Sequence, residues 1–129
     1  MKNIFLIAIL CCGILFNCTK LKTKTSVLIS AEQMLELVKL EEVQLIDVRT
    51  PAEFAEGYIE NAKNIDFYSP NFDLRIDALD KSIPVILYCK SGQRSAKCAS
   101  KLNLKGFTLI YDLKGGINLW RFEERQIYN

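Results

Sequence analysis

The sequence predicts an α/β fold: a small parallel sheet of about five strands with helices on both faces. Three observations carry this. Short apolar runs alternate with amphipathic stretches from Val27 onward. Two capping boxes, Ser30-Ala31-Glu32-Gln33 and Thr50-Pro51-Ala52-Glu53, each follow such a run and open a helix. The apolar run Ile83 to Tyr88 leads into Cys89-Lys90-Ser91-Gly92-Gln93-Arg94-Ser95 and then a helical pattern. Strands alternating with helices make a parallel sheet covered on both sides.

In order, Val27-Leu28-Ile29 is a first strand. The Ser30 box starts a helix to about Leu40, with Met34, Leu35 and Val38 inward at helical spacing. Val43 to Val48 is a strand near the sheet centre. The Thr50 box, with Pro51 at the first helical position, starts a short helix through Phe54 that ends near Gly57. Ala62 to Ile65 is a third strand, Phe67 to Pro70 a loop, and Phe72 to Leu79 a helix. Val85 to Tyr88 reads as a buried strand. The helix after the cysteine loop runs from Ala96 to about Lys105, and Gly106 closes it. Thr108 to Tyr111 is the last strand. Gly115-Gly116 is a turn, and Ile117 to about Arg125 a final helix in which Trp120 is a core residue.

The composition narrows the chemistry. The 129 residues carry 17 basic and 15 acidic side chains, a net charge of +2, and no histidine. The balance is too slight and the basic residues too scattered for a nucleic-acid partner. Without histidine there is no Cys-His or Ser-His pair. With no CxxC pair either, no metal site and no cofactor are expected. A monomer is expected.

The first residues differ in kind. Lys2 precedes an apolar stretch, Ile4 to Phe16, that is short for a membrane span and reads as a secretory signal. It ends in Leu15-Phe16-Asn17-Cys18, before the polar run Thr19 to Thr25. This resembles a bacterial lipoprotein lipobox, with Asn17 where that pattern favours a small residue. The resemblance implies residues 1–17 as signal, Cys18 as the lipidated N-terminus, 18–26 as a tether and 27–129 as the folded domain. It implies a bacterial cell-envelope protein, lipid-anchored on the periplasmic or outer-surface side, with the membrane as a partner. An uncleaved anchor and ordinary secretion are the alternatives. Of the five cysteines, Cys11 and Cys12 leave with a cleaved signal and Cys18 carries lipid. Cys89 and Cys98 remain. Cys98 spaces with Leu102 on the next helix and reads as core; a Cys89–Cys98 disulfide is the alternative in an oxidising compartment.

Cys89 sits where a strand ends and a helix begins. Ligands bind at the carboxyl ends of strands in such sheets, and helix N-terminal amides stabilise anions. A cysteine there is expected to be a low-pKa thiolate nucleophile.

Four segments together resemble the rhodanese family. They are Leu45 to Phe54 ("DVR…EF"), Gly57 to Ile65 ("GHIxGAxNI"), the Cys89 to Ser95 loop, and Gly115 to Trp120 ("GGxxxW"). Tyr58 stands where the family has histidine and Asn61 where it has glycine. The resemblance implies a sulfurtransferase. Cys89 takes sulfane sulfur from a small donor, thiosulfate or a persulfide, and a thiol or cyanide acceptor removes it. Lys90, Ser91, Gly92, Gln93, Arg94 and Ser95 would bind the donor and cradle the persulfide, with Gly92 free to take positive φ. Lys90 steers anionic donors or is one more exposed lysine. Arg94 contacts the donor or braces the loop by bonding its carbonyls. Asp47 and Arg49 support the loop, or form a local ion pair, for example Arg49 with Glu53. Tyr58 offers a hydroxyl or packs as an aromatic. Tyrosine-type phosphatases use a Cys-x5-Arg loop; the Cys89-x4-Arg94 spacing is one residue shorter and suits a single sulfur atom. A non-catalytic binding or sulfur-carrier module on the same fold is the second functional class.

Overall fold

A computed structural model describes residues 26–129. The signal, lipobox and tether readings lie outside them. Five strands and five helices alternate: β1 Val27–Ile29, α1 Ala31–Leu40, β2 Gln44–Asp47, α2 Pro51–Ala55, β3 Lys63–Asn64, α3 Phe72–Asp77, β4 Val85–Tyr88, α4 Gln93–Leu104, β5 Ile110–Leu113 and α5 Gly116–Phe122. The sheet has the order β1-β5-β4-β2-β3, and every pairing is parallel.

Both capping boxes form as the sequence requires. The Ser30 and Thr50 side chains accept from the N3 amides of Gln33 and Glu53, whose side chains return to the cap amides. Strand β4 lies mid-sheet, and all four of its residues are buried. Alternation along it feeds two cores. Val85 and Leu87 join Ile46, Val48, Ile76, Ala99 and Leu102 on the α3 and α4 side. Ile86 and Tyr88 join Met34, Leu45, Ile117 and Trp120 on the α1 and α5 side. The chain steps outward from β2 to β3, then returns to β4 and continues to β5 on the other side. Such a reversal opens a crevice at the strands' carboxyl ends. Cys89 emerges there.

Several placements differ from expectation, among them β3, confined to Lys63–Asn64, and α3, which ends at Asp77. On α1, Leu37 packs inward with Met34 and Leu35, while Val38, 38% exposed, stays outside the core. Helix α4 starts at Gln93, not Ala96, so three residues of the expected loop are its first turn. Strand β5 begins two residues late, at Ile110, because Ile110 is the residue in register with Val85. It therefore takes in Asp112, a poor strand former. Helix α5 ends at Phe122, short of Arg125, because Glu124 turns left-handed at φ 55°.

Candidate active site

The cysteine loop is organised around one sulfur atom. Cys89 is 1% exposed. Its Sγ accepts from the Gly92 amide at 3.1 Å and lies 3.5 Å from Ser95 Oγ. Gly92, the N-cap of α4, has φ 116° and no side chain to cap the helix; the cysteine sulfur meets its amide instead. The left-handed residue reverses the chain so that amides face the sulfur, a conformation glycine adopts without strain. Burial works against ionising the thiol. The Ser95 hydroxyl and the amides of Ser95, Gly92 and Ser91 outweigh it, and the thiol pKa falls below its ordinary value.

With amides turned inward, carbonyls turn outward and need donors. The first two amides after the Gly115-Gly116 turn supply them. Ile117 N–H donates to Cys89 O at 2.9 Å, and Asn118 N–H to Lys90 O at 3.0 Å. The approach is so close that a Cβ on Gly116 would stand 2.5 Å from Cys89 O and 2.7 Å from Lys90 O. A Cβ on Gly92, by contrast, meets nothing within 4 Å. Gly92 serves backbone conformation alone, whereas Gly116, itself left-handed at φ 58°, also permits the close approach.

Arg94 bonds no loop carbonyl. Its guanidinium takes the Glu53 carboxylate with two bonds, 2.6 and 2.8 Å, and lies over the Tyr68 ring. The Arg94 bond holds Glu53 down at about 2, although burial opposes it. Glu53 also accepts from Thr50 N–H at 2.9 Å, so one carboxylate closes the α2 capping box and ties α2 to α4.

Asp47 and Arg49 are buried and bonded to each other, at 2.6 Å for the shortest contact. Arg49 does not take the Glu53 carboxylate. It donates to the carbonyls of Glu53, at 3.1 Å, and Gly57, at 2.7 Å. Neither residue bonds the cysteine loop; the link runs through Glu53, held by Arg49 at its carbonyl and by Arg94 at its carboxylate. Lys90, Ser91 and Gln93 are exposed around the sulfur, and Ser95 is buried beneath it. Cys98 is a free, fully buried thiol, pushed by burial up to about 12. Both departures from the family pattern keep local structure. Asn61 holds the left-handed φ of 63°, which asparagine tolerates. Tyr58 stacks on Phe54 with ring centroids 4.3 Å apart.

Sequence reasoning missed two residues here. The position of Glu53 in the sequence suggests a cap and a partner for Arg49, and nothing in its spacing announces Arg94. Asp112 lies 3% exposed inside an apolar strand; a lone carboxylate among strand residues was the available signal.

A rhodanese-like domain model matches residues 30–123. The chain belongs to the rhodanese-like family. It is 38% identical over 93 residues to a Pseudomonas putida protein named thiosulfate sulfurtransferase GlpE, covering 72% of this chain and 83% of that one. It is 36% identical over 84 residues to an Allochromatium vinosum protein named sulfurtransferase, covering 65% of this chain and 77% of that one. Among solved structures it is similar to a rhodanese-like domain protein from Staphylococcus aureus. The TM-score there is 0.65 at 30% identity, over 73% of this chain and 90% of that one.

Two substitutions test this geometry. Arg49→Ala strands the buried Asp47 carboxylate and lowers unfolding free energy by about 3 to 5 kcal/mol, read by urea denaturation. Arg49→Lys does not restore it, because an ammonium cannot replace the forked set of bonds. Gly116→Ala forces the Cys89 and Lys90 carbonyls away. Cys89 alkylation at neutral pH then slows about tenfold, as a rise of roughly one unit in the thiol pKa would give. An unchanged rate shows that α5 does not set the loop.

Proposed function

We propose that the protein is a sulfurtransferase that carries sulfane sulfur on Cys89. The single observation behind this reading is the inward ring of donors on a low-pKa sulfur in a loop of six residues after the cysteine. Relatives named as sulfurtransferases support it. The Cys89 thiolate attacks the sulfane sulfur of thiosulfate or of a persulfide. The donor's S–S bond breaks as the Cys89 S–S bond forms, and the donor leaves with the electron pair, as sulfite from thiosulfate. A thiol or cyanide then attacks the outer sulfur and releases the Cys89 thiolate. This is covalent double displacement.

The residues divide the work. Amides of Ser91, Gly92 and Ser95, with the α4 dipole, hold negative charge at Sγ before and after transfer. Preorganised donors of this kind are worth about 3 kcal/mol each in other enzymes. Lys90, exposed beside the sulfur, steers the anionic donor, and Gln93 lies on its approach. Arg94, neutralised by Glu53, braces the first turn of α4.

Incubated with thiosulfate, the purified protein gains one sulfur atom on the peptide containing Cys89, seen by mass spectrometry. Cys89→Ser gains none. Absence of the gain with every sulfane donor tried, persulfides included, replaces this reading with the non-catalytic module.

We further propose that Cys18 carries lipid and that the domain sits on a tether at the bacterial cell envelope, on the periplasmic or outer-surface side. The support is the apolar Ile4 to Phe16 stretch ending at Leu15-Phe16-Asn17-Cys18. Metabolic labelling with a fatty acid marks the wild type and not Cys18→Ala. Equal labelling of the two removes the tether from the account.

A further inference from the structure

Four hydrogen bonds converge on Gly57-Tyr58-Ile59, the segment between α2 and β3. Gly57 O accepts from Arg49 Nη2 at 2.7 Å. Ile59 N–H donates to Tyr88 Oη at 3.1 Å, and Tyr88 is the residue before Cys89. Tyr58 makes the other two bonds, both with Tyr128. Its N–H donates to Tyr128 O at 2.8 Å, and its carbonyl accepts from Tyr128 N–H at 2.9 Å. The segment is therefore held from three sides: by Arg49, by the last residue of β4, and by residues 126–129.

Residues 126–129 reach it by a strained route. After α5 the chain turns at Glu124, which is left-handed at φ 55° without being glycine. Such a conformation persists only where the surroundings impose it. Arg125 then pairs with Glu32 of α1, and Trp120 Nε1 donates to Gln126 O at 2.9 Å. The chain lies against Gly57 so closely that a Cβ there would stand 2.4 Å from Ile127 Cγ2. Gly57 and Ile59 are buried. The family match ends at residue 123, so residues 124–129 lie beyond it. Tyr58, their partner, is itself a departure from the family pattern.

We propose that residues 126–129 form a strap that positions the Cys89 site, acting through Gly57-Tyr58-Ile59. Two hydrogen-bonded routes lead from that segment to the sulfur. On one, Arg49 holds the carbonyls of Gly57 and Glu53, and the Glu53 carboxylate holds Arg94 in the first turn of α4. On the other, Ile59 N–H fixes the Tyr88 side chain at the strand end from which Cys89 emerges. One route sets the helix side of the cysteine loop and the other its strand side. Amide hydrogen bonds weaken steeply as their angle degrades. Release of the strap loosens both sides, weakens the donors on Sγ and makes the thiolate harder to form. The inference rests on Cys89 being the nucleophile. Alkylation reports the thiol without sulfur transfer, so failure of sulfur loading and failure of the strap are read separately.

The test is the pH dependence of iodoacetamide alkylation in the full chain, followed on the Cys89 peptide by mass spectrometry. It is run at a temperature where circular dichroism shows each variant folded. Tyr128→Pro removes one N–H from the pair with Tyr58 and moves no charge. Its thiol inflection rises by about half a unit to one unit, and alkylation at pH 7 slows about threefold to tenfold. Hydrogen exchange of residues 89–95 quickens with it. Deletion of residues 126–129 gives the same two changes. Tyr128→Phe keeps the backbone pair and both wild-type readings. Ile127→Ala, which keeps the pair and only thins the packing on Gly57, folds where the others do not and slows alkylation about twofold. A folded Tyr128→Pro or deletion variant with the wild-type inflection overturns the proposal, because a strap that only adds stability gives that result. So does Tyr128→Phe that shifts the inflection as far as Tyr128→Pro, or an unchanged Ile127→Ala.

Discussion

The site depends on one constraint: a loop that turns its amides toward a sulfur must turn its carbonyls away from it. Carbonyls buried without partners would cost more than the amide ring gains. The chain resolves this 28 residues later in sequence, where α5 begins and has orphan N–H groups of its own. Ile117 and Asn118 give their amides to Cys89 and Lys90, so two unsatisfied sets cancel. The fit leaves no room for a side chain at Gly116. The closing Gly-Gly turn is therefore part of the cysteine site, although it lies on another element.

The second support is electrostatic and equally indirect. Without histidine, no imidazolium can hold the thiolate. Arg94 is the obvious substitute, but its charge is spent on Glu53 at 2.6 and 2.8 Å. What acts most strongly on the sulfur is dipolar, backbone N–H groups and one hydroxyl, with a lesser charge interaction from Arg94. The charged groups act as a frame instead. Asp47 fixes Arg49, Arg49 fixes the carbonyls of Glu53 and Gly57, and Glu53 fixes Arg94 in the first turn of α4. A donor ring held at both ends needs no reorganisation as charge arrives, and that is where such sites gain most.

Legibility in the sequence followed the range of the forces involved. Local signals read well: both capping boxes, the apolar β4 run and the strand-to-helix position of Cys89 are encoded within a few residues. The start of α4 is hidden in the sequence because Gln93 and Arg94 continue a loop-like polar run, and only Gly92 at φ 116° marks the turn. Strand β5 was misplaced because Thr108 and Leu109 have better strand propensity than Asp112, while register with β4 chose otherwise. The site's long-range partners were the least legible. The Glu53–Arg94 pair spans 41 residues and the Cys89–Ile117 bond 28. No spacing rule links such positions.

The balance at Cys89 also explains why the loop does not simply maximise thiolate stability. A thiolate held too far below ambient pH loses intrinsic nucleophilicity, and attack on a sulfur donor is fastest when the thiol pKa lies near the working pH. Burial at 1% exposure raises the thiol and the donor ring lowers it. The net result is a difference between two opposing effects, and its sign is downward. Such a difference is easily moved by one more neighbour. Ser95 is the neighbour best placed to move it, because its hydroxyl lies 3.5 Å from Sγ and within 3.2 Å of the competing acceptor Gly92 O.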